Sequence, residues 1–346
     1  MNKFKTLLLS LVLIITTLLT SCAKENDKNT DPISRTELFM GTVVRITIYD
    51  STDESILDKA FNRVAEIESL VSINEDGTEL DEVNANSGLQ PIAVSDTTYT
   101  IVKKALEYSK LSNGDFDLTI GPLVKLWSIG LEGEKVPTQE EIDSVLPLIN
   151  YKNVELDDNN KTIYLKEKGM IIDLGSIAKG YAADEISKIL TENNVNSAII
   201  DLGGNILAHG MKKSGDLWKI GIRNPHTDKG GIIGILKVKN KTVVTSGIYE
   251  RYIEKDGVQY HHLLNPNTGY PFDNNIAGVS IITDKSIDAD ALSTTVFAKG
   301  IDEGLKFVES LDNVDAIFIS KDDKVYITSG IKDSFSLDDD SLTLVN

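Results

Sequence analysis

The chain has 346 residues, with 35 Lys and Arg against 53 Asp and Glu, for a formal net charge of −18. That balance argues against a nucleic-acid surface, and any anionic ligand must be met by local groups because the overall field repels it. Cys22 is the only cysteine, so no intramolecular disulfide can form.

At the N-terminus, Lys3 and Lys5 precede an apolar run from Leu7 to Leu19. The run is shorter than the ~20 residues a helix needs to span a bilayer. A basic start, a short apolar stretch and small residues at its end describe a secretory signal over residues 1–21. The closing Leu-Thr-Ser-Cys has the form of a bacterial lipobox, in which Cys22 becomes the lipidated first residue of the mature chain. Cys22 is then an anchor and not a catalyst, and the protein is expected on the extracytoplasmic face of the cell membrane. Residues 22–34 carry few apolar side chains and read as a flexible tether. Residues 35–346 are left as one continuous domain, since no long Pro- or Ser-rich stretch divides them.

Within that domain Val43–Tyr49 alternates like a strand. Ile56, Leu57, Ala60, Val64, Ile67 and Leu70 recur at helical spacing, and so do Ile101, Val102, Ala105, Leu106 and Ser109. Thr138 and Glu141 form a capping box ahead of a short helix. "VELDDNNKTIYL" reads as a hairpin around the Asp157–Asn160 turn. A helix is predicted over Ile177–Leu190 and a strand over Ala198–Leu202. Strands follow at Trp218–Arg223, Ile232–Val238, Thr242–Thr245, Val258–Leu264 and Ile276–Thr283. Helices are then expected from Asp288 and over Glu303–Leu311, with strands near Ala316–Ile319 and Lys324–Ile327. Helices and strands mix without a regular βαβ rhythm, so the class is α+β with mainly antiparallel sheet.

The sequence contains no P-loop, no G-x-G-x-x-G, no H-E-x-x-H, no nucleophile elbow and no Cys/His cluster suited to zinc. Four short blocks carry polar residues in patterns that could serve chemistry. In Asn113–Trp127, Asp115 and Asp117 flank Phe116, which suits either a pocket wall with acceptors or a loop before a buried element. In Ile172–Tyr181, an acid leaves a strand, turns at Gly175 and enters a helix through Ser176. Amides at such a helix start, with Lys179, can hold phosphate oxygens, or they can simply form a capped turn. "DLGGN" at 201–205 allows a close backbone approach to a ligand or only a tight turn. The fourth block joins "SGIYERY" to Tyr260-His-His-Leu-Leu-Asn-Pro-Asn-Thr-Gly-Tyr-Pro271. Along a strand His261 and His262 point to opposite faces, so at most one of them enters a given site. Finally, Asp290 and Thr294 in "DADALSTTVF" lie one helical turn apart. They can offer two oxygens to a hard cation, or the acidic start of the segment can serve as a helix cap.

Taken together, "FMGTVVRITIY", "GDFDLTIGPLVKLW", "IDLGSIAKGYAAD", "DLGGNILAHG", "SGIYERYIEKDGVQYHHLLNPNTGYP" and "DADALSTTVFAKG" resemble, in order, the ApbE family of FAD:protein FMN transferases. The resemblance covers essentially all of the mature domain and implies a T-fold-like α+β domain that binds FAD with Mg²⁺. It implies cleavage of the FAD pyrophosphate, with FMN passing as a phosphoester to a Ser or Thr hydroxyl of a target flavoprotein, such as a membrane redox-pump subunit. The family's Mg²⁺ ligands fall on Asp290, Thr294 and the backbone carbonyl of Ser176. Its FAD contacts fall on Met40, Asp115, Phe116, Asp117, Asp173, Lys179 and Leu264, and the base for the incoming hydroxyl falls on His262. Asn265 stands where the family pattern H-x-x-D-P-x-T-G has Asp, and "INEDGTELDEVN" matches poorly. Two other readings keep the same residues: an FAD pyrophosphatase, in which water replaces the protein hydroxyl, and a non-catalytic flavin-binding lipoprotein.

Overall fold

The computed structural model describes residues 31–227 and 230–345. The signal segment, Cys22 and most of the tether lie outside the described residues. The first strand, Ile33–Phe39, takes in Ile33 and Ser34 from the predicted tether, so the ordered domain starts earlier than the sequence suggests. It pairs with Thr42–Ile48 through the two-residue turn Met40–Gly41, where both residues have positive φ (52° and 68°). Two positive φ values define the turn that matches the twist of a two-residue hairpin.

That hairpin forms one edge of a nine-stranded sheet. From it the order runs through Ser197–Leu202, Asn205–Gly210, Lys241–Gly247, Ile276–Thr283, Asp315–Ser320, Lys324–Ile327 and Thr343–Leu344. Every neighbouring pair is antiparallel except the last. The α+β class with mainly antiparallel sheet is therefore borne out. Ile276–Thr283 is buried at all eight positions because both sheet faces are covered there.

Among the described residues there are seven α-helices: α1 Ser55–Val71, α2 Glu79–Ala85, α3 Asp96–Leu111, α4 Gly121–Trp127, α5 Gln139–Val145, α6 Ala178–Glu192 and α7 Ser286–Glu309. Their apolar stripes, including Ile56, Ala60, Val64 and Ile67 of α1 and Ile186 and Leu190 of α6, close the main core against one face of the sheet. The other face is covered by a three-stranded sheet built from Trp218–Arg223, Ile232–Val238 and Phe335–Leu337. A smaller apolar cluster of Leu123, Trp127, Ile129, Ile142 and Leu264 lies under α4 and α5. The predicted capping box of Thr138 and Glu141 is present at the start of α5.

Two sequence expectations change. The helices predicted from Asp288 and over Glu303–Leu311 run on from each other as α7, broken only where Gly300 takes φ 74° and ψ −177°. The helix also begins two residues early, and its N-terminal amides are capped by Asp184 of α6, whose carboxylate accepts from Ser286 N (2.9 Å) and Ile287 N (3.0 Å). Asp288 is thus not the cap. Its carboxylate faces Tyr108 (2.9 Å) and Lys104 (3.0 Å) instead.

The α6–α7 contact depends on Gly180. A Cβ there would run into the Ser286 carbonyl and the Ile287 backbone, which cannot yield as a side chain could. Gly180→Ala is expected to destabilise the domain by about 1–3 kcal/mol, the usual cost of overpacking. Urea denaturation of both proteins measures it, and an unchanged midpoint would refute the close packing.

Candidate functional site

The close approach of α6 to α7 assembles the first half of the site. Asp290 is buried, and its Oδ2 accepts a hydrogen bond of 2.9 Å from the Gly180 amide. Gly180 lies in the first turn of α6, where amides have no partner within the helix. A helix extended backward would have turned that amide to the Ser176 carbonyl, four residues earlier. Asp290 takes the donor in its place, and Ile177, with φ −148°, stands outside the helix as its N-cap, one residue beyond Ser176. The Ser176 carbonyl thereby stays outside the helical ladder. Thr294, half-buried, stands one turn from Asp290 on the same face of α7.

Lys179 adds a cation to this corner. Its Nζ donates to the Gly175 carbonyl at 2.9 Å and lies 4.0 Å from Asp290 Oδ1. Asp173, just ahead of the turn, accepts from the Gly175 amide at 2.6 Å. Burial pushes the Asp173 carboxyl up, against the pull of that amide and of Lys179, Lys125 and Arg251. The segment is held in place by Asn84 of α2, whose amide side chain accepts from Ile172 N (2.7 Å) and donates to Ile172 O (3.1 Å). Asn84 belongs to the poorly matching "INEDGTELDEVN", and its role was not legible there.

The second half comes from the chain between Ser246 and His262. The strands Tyr252–Lys255 and Val258–His261 form a separate hairpin in which Tyr252 faces His261. The predicted strand Val258–Leu264 therefore ends at His261, and His262 sits at the bend beyond it. His262 is pinned twice to the Arg251 carbonyl, through its own amide (3.1 Å) and through Nδ1 (3.3 Å). A carbonyl only accepts, so Nδ1 carries the proton and Nε2 keeps its lone pair. Burial holds the imidazole neutral, with its pKa lowered to about 4. Nε2 faces the Glu250 carboxylate at 4.0 Å, and about 29% of the His262 side chain remains open. His261 instead points inward, bonding the Phe272 carbonyl at 3.0 Å and packing edge-on against Phe297.

Arg251 ties this segment to the first hairpin. Its guanidinium donates to the Gly41 carbonyl at 3.3 Å, and its stem packs along Gly130. Met40, at the turn, donates its amide to Glu68 Oε1 at 2.6 Å.

The segment from Asp115 to Asp117 is joined to the Asp173 segment by hydrogen bonds from Asp173 N to Leu118 O and from Gly121 N to Ile171 O. Its side chains differ from the expected row of acceptors. Asp115 is paired with Lys299 at 2.9 Å. Phe116 is buried in the main core, so its ring offers no ligand face. Asp117 accepts from the Thr119 amide and hydroxyl (2.8 and 2.7 Å) and from Tyr151 N (2.9 Å), which occupies both oxygens. Phe116 can meet a ligand only through its main chain, while the Asp117 carboxylate is engaged within the loop. Leu264 likewise buries its side chain in the cluster around Trp127.

Two other features resolve as structure. Asn265 accepts from Asn267 N at 2.8 Å and organises the turn that follows, a task a neutral amide performs without the charge of Asp. Gly203 and Gly204 make the tight turn between two sheet strands, with φ of 63° and 97°, against Thr42.

These elements define an α+β domain in which a buried carboxylate and a lysine at the start of α6 act electrostatically on a neutral imidazole and its neighbouring Glu250. The ApbE family model matches residues 40–318, and the chain belongs to that family. A FAD:protein FMN transferase of Klebsiella pneumoniae strain 342 is 35% identical over 303 residues, covering 88% of this chain and 94% of its own. One of Treponema pallidum strain Nichols is 36% identical over 318 residues, covering 87% and 88%. The crystal structure of an ApbE protein from Thermotoga maritima superposes with a TM-score of 0.80 at 31% identity, covering 87% of this chain and 98% of its own.

Proposed function

We propose that the protein is a Mg²⁺-dependent FAD:protein FMN transferase. It would join FMN through a phosphoester bond to a Ser or Thr hydroxyl of an extracytoplasmic flavoprotein and release AMP. The observation that supports this reading best is the Gly180–Asp290 hydrogen bond, which sets a buried carboxylate against the first turn of α6, just after Ser176.

Asp290, Thr294 and the Ser176 carbonyl would hold the Mg²⁺. All three offer oxygen, as a hard cation requires. Among the described residues no three His, Cys, Asp or Glu side chains come together, so a cation here would take hydroxyl and carbonyl oxygens beside one carboxylate. When bound, the ion would offset charge on the pyrophosphate of FAD. Lys179 would face the same phosphates, adding local positive charge in a protein of net charge −18. Met40, Asp173, Leu264 and the main chain of residues 115–117 would line the rest of the dinucleotide. His262, neutral and with Nε2 free, would take the proton of the attacking hydroxyl.

Chromatography of the nucleotide products tests this against the two other readings. AMP whose release depends on an acceptor protein supports transfer. AMP and free FMN formed equally without acceptor mark a pyrophosphatase, and unchanged FAD marks a binding protein.

For the acceptor, a membrane redox-pump subunit is the class that the family suggests. Lipidation of Cys22 would keep the enzyme at the membrane on the extracytoplasmic side. Cys22→Ser is then expected to move the protein from the membrane fraction to the soluble one, with activity in vitro unchanged. Wild-type protein that fractionates as a soluble species without lipid would rule out the anchor.

A further inference from the structure

We infer that Glu250 is a positioning residue for the transfer step: its carboxylate holds the imidazolium that forms when His262 takes the proton of the attacking hydroxyl. The inference rests on His262 being the base. Its geometry is independent of that reading.

His262 cannot turn freely, because its amide and Nδ1 both bond the Arg251 carbonyl. This fixes Nε2 toward Glu250 Oε2, 4.0 Å away. The gap is too long for a direct hydrogen bond. It also sets a lone pair against a carboxylate, which is unfavourable until Nε2 is protonated.

Glu250 is not spent on the cations around it. Lys179 donates to the Gly175 carbonyl, Arg251 to the Gly41 carbonyl, and Arg223 lies 4.7 Å over the Tyr249 ring. Asp290 adds negative charge from the α7 side. In these surroundings burial pushes the Glu250 carboxyl up to about 7, the largest influence on it, with Asp290 acting in the same direction and Lys179, Arg251 and Arg223 opposing. About 34% of its side chain stays open, so an incoming hydroxyl can reach the space between it and His262.

In the step, the hydroxyl O–H bond breaks and its proton passes to His262 Nε2. The hydroxyl oxygen bonds the FMN phosphorus as the bond from that phosphorus to AMP breaks, and AMP leaves with the electron pair. The new Nε2–H then faces the ionised Glu250, and the proton later passes to solvent.

The test follows AMP release and FAD affinity, the latter by flavin fluorescence, in wild type, Glu250→Gln, Glu250→Asp, His262→Ala and the Glu250→Gln/His262→Ala pair. Glu250→Gln keeps the shape and removes the charge. It should lower kcat by about 10–100-fold, the size of effect known when a carboxylate behind a metal-bound histidine is removed. FAD affinity should not fall. The rise in wild-type rate with pH through about 7 should vanish in this variant. Glu250→Asp, which retains the charge but draws it back, should fall between the two. In the pair, the Gln substitution should add nothing to the loss from His262→Ala, because the two act as one unit.

Three results would overturn the inference: a wild-type rate in Glu250→Gln, FAD affinity lost together with rate, or losses that multiply in the pair. A wild-type protein that releases no AMP at all would instead remove the transferase reading, and the inference with it.

Discussion

Asp290→Ala is expected to abolish Mg²⁺-dependent turnover in a domain that still folds. The substitution takes away the one carboxylate among the three candidate ligands, so the remaining hydroxyl and carbonyl carry no full charge to balance a divalent ion. It also removes the acceptor of the Gly180 amide. An orphaned buried donor costs about 1–3 kcal/mol, against a typical stability of about 5–15 kcal/mol. The fold should therefore survive with a lowered melting temperature. AMP release over a Mg²⁺ titration, read beside a thermal melt, measures both effects. Full activity that remains sensitive to EDTA would take Asp290 out of the metal site.

His262→Ala is expected to lower transfer by ~10²–10⁴-fold, the range of general base catalysis. FAD affinity should change little, because the base acts on the incoming hydroxyl and not on the bound dinucleotide. His261→Ala separates the two histidines. Its imidazole is buried against Phe297 and bonded to the Phe272 carbonyl, so its loss should cost about 1–3 kcal/mol of stability and leave the transfer rate near wild type. A His261→Ala enzyme that folds but has lost turnover would reverse the assignment. Asp288 does not offer an alternative base, since Lys104 and Tyr108 occupy its carboxylate.

The parts of the fold that the sequence reveals are those with one clean period. Ile56, Ala60, Val64 and Ile67 mark α1 because a surface helix buries a single stripe. Thr138 and Glu141 mark the start of α5 because both halves of a capping box lie within four residues. The first strand, Ile33–Phe39, is missed for the opposite reason. It lies at the sheet edge with one face exposed and the other only half-buried, and the half-buried face carries Arg35 and Glu37 while Leu38 sits on the exposed one, so hydropathy does not follow the strand's alternation. The short helix α4 offered one usable signal, Pro122 in its first turn.

The candidate site divides in the same way. Asp290 and Thr294 can be paired from their spacing, since one helix carries both. The link between Asp290 and the Gly180 amide spans 110 residues and exists only once α6 and α7 pack, so no spacing rule reaches it. Phe116 and Asp117 had the composition of a pocket wall, yet an aromatic beside an acid also describes a buried ring and a loop-closing carboxylate. Glu250 went unremarked because an acid two residues before Tyr252 is ordinary until the bend at His262 turns an imidazole toward it.

The most direct test of the whole account is the intact mass of an acceptor flavoprotein after incubation with this enzyme, FAD and Mg²⁺. The acceptor should gain the mass of FMN less one water, on a single Ser or Thr, with AMP formed in equal amount and neither product formed in EDTA. An unmodified acceptor beside free FMN and AMP would contradict it.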